Sequence, residues 1–181
     1  MTIPKFILGD KVYLRALTRE DLRGPFLTWM DDEEVTRYMF CRWRPTRIEE
    51  IEAAYDRTIG SNADIEFAIC CRSKDCIVGV SGLHDIHWLS RQAEFRIMIG
   101  DKSAWGRGYG VETAQLLVRY AFEKLNLNRV SLGVNSEDKR AIRCYEKVGF
   151  TDEGISREAV FRNNRYYDAV RMGILRRDYK A

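Results

Sequence analysis

Ala93–Gly110 reads AEFRIMIGDKSAWGRGYG and runs straight into VETAQLLVRYAFEKLNL, residues 111–127. The opening alternates as a strand does: Phe95, Ile97 and Ile99 fall on one side, Glu94, Arg96 and Met98 on the other. A loop follows with glycines at alternate positions, Gly106, Gly108 and Gly110. The last stretch keeps one apolar helical face, made by Val111, Ala114, Leu117, Val118, Ala121, Phe122 and Leu125. A strand, a glycine loop and a helix N-terminus together suit a phosphate. Small residues let the backbone approach closely, several N–H groups point one way, and the helix dipole favours negative charge.

Two phosphate motifs are excluded by residue. A triphosphate P-loop needs Gly-Lys-Ser or Gly-Lys-Thr, and the chain has neither. A dinucleotide fingerprint counted from Gly106 meets Val111 where a third small residue belongs. Trp105-Gly106-Arg107-Gly108-Tyr109-Gly110 instead resembles the acetyl-coenzyme A loop of the GNAT N-acetyltransferases, Gln/Arg-x-x-Gly-x-Gly/Ala. Trp105 departs from the usual Gln or Arg, at a position where backbone amides do most of the gripping. A second signature lies downstream. Asn135 ends the strand-like RVSLGV, and SEDKRAIRCYEKVGF follows. Asn135, Ala141, Tyr145, Glu146, Lys147, Gly149 and Phe150 match that family's order and spacing, and the resemblance covers nearly the whole chain.

The resemblance implies an α/β (α+β) fold. Its sheet is mixed and mostly antiparallel, with six to seven strands and a splay between the fourth and fifth (β4/β5 in the family's count), flanked by about four helices. Length agrees: 181 residues suit one domain with a sizeable core, read as a single unit over 1–181. A net charge of +3, without a basic run, argues against nucleic acid as a partner. No apolar run approaches a membrane span and MTIPKFILGD lacks a signal-peptide pattern, so the expectation is a cytoplasmic protein that does not engage a membrane. Cys41, Cys70, Cys71, Cys76 and Cys144 form neither a disulfide framework nor a zinc knuckle.

Lys11–Leu17 alternates as the first strand, and Thr18 with Asp21 caps a helix from Arg19. Residues 19–30 and 33–39 read as two short helices, and 47–59 as another. Ile65–Cys71 and Cys76–Leu83 form a hairpin turned by Ser73-Lys74-Asp75. Ser136 caps a helix over 137–147. The last two strands are Phe150–Ala159 and Tyr166–Leu175, joined through Asn163-Asn164. His84 and His87 project to opposite faces of extended chain and have no third ligand at a useful spacing, so no metal site is expected.

Acetyl transfer to an amine needs a base, a polarised carbonyl, an acid for the departing thiolate, and alignment. The resemblance places Tyr145 as the acid and Glu94 as the base, although Glu94 also has Arg96 within reach as an ion-pair partner. It places Ile97, Met98 and Ile99 beside the pantetheine of coenzyme A. Trp105, Gly106, Arg107, Gly108, Tyr109 and Gly110 would hold the phosphates, with Asn135, Ala141 and Tyr145 completing the cofactor site. Trp29, Tyr38, Phe40, His84, His87 and Glu94 would line the acceptor side, with Trp43 in the same aromatic stretch. The acidic run Asp31–Glu34 suits a polyamine or a helix N-terminus.

The reading is an acetyl-CoA-dependent N-acetyltransferase acting on a primary amine of a small molecule such as a polyamine or amino sugar. The resemblance also admits a homodimer. Competing readings are acetylation of a protein N-terminus, a non-catalytic acyl-CoA-binding module and, more distantly, a nucleotide-dependent oxidoreductase.

Overall fold

A computed structural model describes residues 3–39 and 44–180. Alternating segments become β1 (Lys5–Leu8), β2 (Val12–Ala16), β3 (Ile65–Cys71), β4 (Cys76–His87), β5 (Gln92–Ile99), β6 (Arg129–Asn135), β7 (Thr151–Arg162) and β8 (Arg165–Leu175). They form one sheet in the order β1-β2-β3-β4-β5-β6-β8-β7. Every neighbouring pair is antiparallel except β5–β6, which is parallel. That parallel ladder joins only Gln92 to Arg129, Ala93 to Val130 and Glu94 to Ser131. Beyond Glu94 the two strands part, which is the splay implied by the family resemblance.

Each face of the sheet is covered. On one, α4 (Tyr109–Glu123) buries Ala114, Leu117, Val118, Ala121 and Phe122 against Leu14, Ile69, Phe95, Val130 and Met172. Ala141, Ile142, Tyr145 and Val148 of α5 (Lys139–Val148) pack against the same core. On the other face lie α1 (Arg19–Asp21), a π turn (Leu22–Phe26), α2 (Leu27–Asp31) and α3 (Ile48–Ile59). Leu22, Phe26, Ile51 and Tyr55 cover Tyr13, Ala68, Cys70 and Val80 there.

The eight strands exceed the expected six to seven. β1 was missed because it is short and mostly exposed, with Phe6 and Leu8 in solvent and no apolar alternation to betray it. The expected helix over 19–30 is broken where Gly24 leaves helical geometry and Pro25 withholds a donor. Residues 33–39 form turns instead of a helix: Asp32 accepts the N–H groups of Glu34 and Val35 as an N-cap would, but after one bond from Thr36 N–H to Asp32 C=O the chain closes into three-residue turns, Arg37 N–H to Glu34 C=O and Met39 N–H to Thr36 C=O. β4 runs on to His87, and α5 is capped by Asp138, which accepts from Ala141 N–H, rather than by Ser136. The Thr18–Asp21 capping box forms as expected.

Asp21 also receives two bonds from Arg15, at 2.6 and 2.8 Å, and its side chain is only 9 % exposed. Burial alone would raise its pKa; the bonds from Arg15 and Thr18 outweigh that and lower it. A carboxylate with a depressed pKa stabilises the fold above its unfolded value, and that share is lost as pH falls through the folded value. Urea unfolding of Asp21→Asn should therefore show about 3 kcal/mol less stability at pH 7. The gap should narrow below about pH 4, where the parent loses its own share.

Candidate active site

Two positions of the glycine loop suit glycine by their backbone. Gly106 and Gly108 have φ of +74° and +85°, and Gly108 is the residue on which α4 starts. The first N–H groups of that helix, from Tyr109 to Val111, have no acceptor within it, whereas Glu112 N–H already bonds Gly108 C=O. The loop is tied from several sides. Trp105 Nε1–H donates to Ile99 C=O at 2.8 Å, and the Arg140 guanidinium lies over the indole at 4.6 Å. Arg107 donates to Ser103 C=O, and Lys11 donates to Arg107 C=O. Three cations thus surround a helix N-terminus, a site suited to phosphates.

Behind the loop, the Glu112 carboxylate accepts the N–H groups of Asp10, Lys11 and Val12 at 2.5–3.1 Å. Tyr109 places its hydroxyl 3.2 Å from Cys71 Sγ. Burial raises the Cys71 pKa, but bonds from Ser73 and Tyr109 prevail and leave it at about 7. The Cys144 thiol, beside the site, is pushed by burial up to about 11 and stays protonated at neutral pH.

The parted edge of β5 faces the loop. Gly100 N–H bonds Val78 C=O on β4, so alternation turns the main-chain groups of Ile97 and Ile99 the other way, toward β6. The ladder to β6 has ended by then, and Trp105 takes the Ile99 carbonyl. The amides of Ile97 and Ile99 are left facing the gap. Met98 differs: it pairs with Val80 of β4 and its side chain is buried on the α1–α3 face. Of the three strand residues expected beside pantetheine, Ile97 and Ile99 present backbone to the gap.

Tyr145 closes the gap from α5. Its ring packs edge-on against Phe95 and Phe150, with centroids 6.1 and 5.9 Å away. Among the described residues no group hydrogen-bonds its hydroxyl, and burial raises its pKa, so it holds its proton through neutral pH. Ala141 sits one turn earlier on the same helix. Asn135 is buried at the end of β6, and its side-chain oxygen accepts Glu137 N–H. A small hollow of about 80 Å³ brings Asn135 together with Tyr38 and Tyr167.

A belt of charge crosses β3, β4 and β5, on the side where the sequence reading expects the acceptor. Glu94 stands at the fork, in the last β5–β6 pair, and Arg96 donates to it at 2.6 Å while also reaching Asp85. His84, the cross-strand partner of Glu94, is buried. Its Nδ1 lies 3.3 Å from Asp64 and its Nε2 3.6 Å from Glu66. His87 is elsewhere: a bulge separates it from His84, and its Nδ1 accepts Ser90 N–H in an exposed turn. Trp29 is buried with its ring against Gly100, where any Cβ would come within 2.0 Å of it. Phe40 and Trp43 lie outside the described residues. Asp32 follows the C-terminus of α2, where an acid opposes the dipole. Lys102 offsets this by pairing with both Asp32 and Glu34. The acidic run therefore does not open a helix.

Sequence reasoning missed Glu66, Asp64 and Glu112. Glu66 carried one signal, a charge in the otherwise apolar strand IEFAICC.

Comparison with known proteins places these parts in a lineage. Residues 11–151 match the model of the acetyltransferase (GNAT) domain. The spermidine N(1)-acetyltransferase of Escherichia coli K12 is 34 % identical over 174 residues, covering 96 % of this chain and 90 % of that protein. A putative ribosomal N-acetyltransferase of Bacillus subtilis is 33 % identical over 107 residues, 58 % of this chain and 57 % of its own. The crystal structure of spermidine N-acetyltransferase from Vibrio cholerae in complex with CoA and spermine superposes with a TM-score of 0.86 at 32 % identity, over 94 % of this chain and 99 % of that one. Fold, glycine loop, parted strands and kinship agree: the chain belongs to the GNAT acetyltransferase family and is an acetyl-CoA-dependent N-acetyltransferase.

Proposed function

We propose that the acceptor of this acetyltransferase is a polyamine, acetylated on a primary amine within a single domain spanning residues 1–181. The observation that carries the reading is likeness along nearly the whole chain to spermidine N-acetyltransferases. It is joined by an acceptor side furnished with carboxylates, Asp64, Glu66, Asp85 and Glu94. Acetyl-CoA supplies an activated acetyl thioester; the products are an N-acetyl polyamine and free CoA thiol.

The chain's own residues supply the rest. Loop amides at Tyr109–Val111, with Lys11, Arg107 and Arg140 nearby, suit the cofactor's phosphates. The free amides of Ile97 and Ile99 suit the pantetheine and a polarised carbonyl oxygen. Tyr145 Oη keeps its proton until a thiolate needs it, and Glu94 at the fork takes the amine's proton through water once Arg96 yields. Asn135 and Ala141 flank the site. Tyr38 stands on the acceptor side, His84 backs the charged belt, and the homodimer admitted by the resemblance belongs to the same proposal.

Acetylation of a protein N-terminus is the second reading, favoured by the partial likeness to the ribosomal enzyme. Release of CoA thiol tested against spermidine, spermine, amino sugars and peptides with free N-termini separates the two. Turnover of peptides alone would overturn the polyamine reading. Tyr145→Phe should lower kcat about 100-fold and leave acetyl-CoA affinity unchanged, because only the transition state uses its proton. Equal activity would remove Tyr145 from the acid role. Gly108→Val places a β-branched residue at positive φ, so calorimetry should find acetyl-CoA binding weakened by about tenfold or more. Unchanged affinity would reduce the loop to a turn.

A further inference from the structure

Between the sheet and α1–α3 lies a hollow of about 330 Å³, walled by Leu22, Phe26, Tyr55 and Val80, with Arg44 and Glu50, ion-paired to each other at 3.0 Å, also lining it. Glu66 enters it from β3, with its side chain 30 % exposed. Among the described residues no group donates a hydrogen bond to its carboxylate, and His84 Nε2, at 3.6 Å, stands beyond that reach. The arrangement depends on Gly82, the cross-strand partner of Glu66. A Cβ there would lie 2.8 Å from His84 Nε2 and 3.2 Å from Glu66 Cγ. Asp64 fixes the far side of the imidazole, and is itself satisfied by Ser61 and by Asp85 N–H. Among the described residues no group of three His, Cys, Asp or Glu side chains is placed to hold a metal ion. The Glu66 carboxylate is a charge short of donors beside apolar walls, which fits an ammonium carried on a methylene chain.

Position decides which ammonium. Glu66 pairs with Gly82 and Gly82 with Arg96, so Glu66 lies two strand spacings, roughly 10 Å, from β5. The reacting amine belongs beyond β5, at the gap. Glu66 is too far for that nitrogen and well placed for another on the same chain.

We propose that Glu66 binds the ammonium of the acceptor that is not acetylated, with the intervening methylenes laid along Phe26, Tyr55 and Val80, an assignment that rests on the polyamine reading above. Glu66 would then set the preference for extended polyamines over simple amines. The test measures kcat/KM for spermidine and for n-butylamine, which lacks a second cation, in the parent and in Glu66→Gln. Spermidine binding to the CoA-loaded protein is followed by calorimetry. The spermidine-over-butylamine preference should fall 10- to 100-fold in the variant, through KM for spermidine. The CoA dissociation constant should not move, and Glu66→Asp should restore part of the preference. An unchanged preference would overturn the assignment, whether both amines lose activity together or neither does. Parent protein that acetylates spermidine while Glu66→Gln keeps its preference sinks the assignment alone. Parent protein that neither binds nor acetylates spermidine sinks the polyamine reading along with it.

Discussion

The structure depends on a sheet that stops pairing partway along one seam. β5 and β6 share three residue pairs and then part at Glu94. Buried main-chain amides without partners are costly, so a seam of this kind persists only where something holds it open and something else can satisfy it. The first need is met by α4 and α5, with the Phe95, Tyr145 and Phe150 rings packed at the wedge. The second is met in part by Trp105, whose indole takes the Ile99 carbonyl and draws the glycine loop toward the strand end. The remaining amides, those of Ile97 and Ile99, face the opening. The two groups proposed to move protons sit along this seam: Glu94 marks the fork, and the Tyr145 ring packs on Phe95 beside it.

Tryptophan at a position where the family pattern has Gln or Arg is instructive here. Its N–H does locally what a longer polar side chain can do, and its ring gives Arg140 a flat surface to cover. The departure from the pattern thus adds a link between loop, strand and α5.

Both motifs that identified the family were legible because they are local and rest on the backbone. Glycines that adopt positive φ, a strand that alternates and a helix with one apolar face need no distant partner to be recognised. Thr18 and Asp21 were readable for the same reason. Distant contacts erased the other elements. Residues 33–39 look helical in sequence, but the segment closes into turns and Arg162 of the β7–β8 hairpin takes the carbonyls of Thr36 and Arg37 that a continuing helix would use. Glu66 showed in sequence only as a charge in an apolar strand, because its surroundings are assembled from Gly82 and His84 on another strand. The Glu94–Arg96 contact, two residues apart on one strand face, was readable, and it forms.

Glu112 joins places that lie far apart in the chain. It sits in the first turn of α4, directly behind the loop, and receives the amides of the β1–β2 turn. Gly9 makes room for it, since a Cβ there would come within 2.7 Å of its carboxylate. Glu112 therefore ties the N-terminal hairpin directly to the helix that follows the glycine loop. Any free energy by which a bound ligand steadies the loop through Glu112 is matched by the free energy with which an ordered hairpin favours that ligand. Through one carboxylate, an edge hairpin of the sheet and the turn that opens α4 share their order.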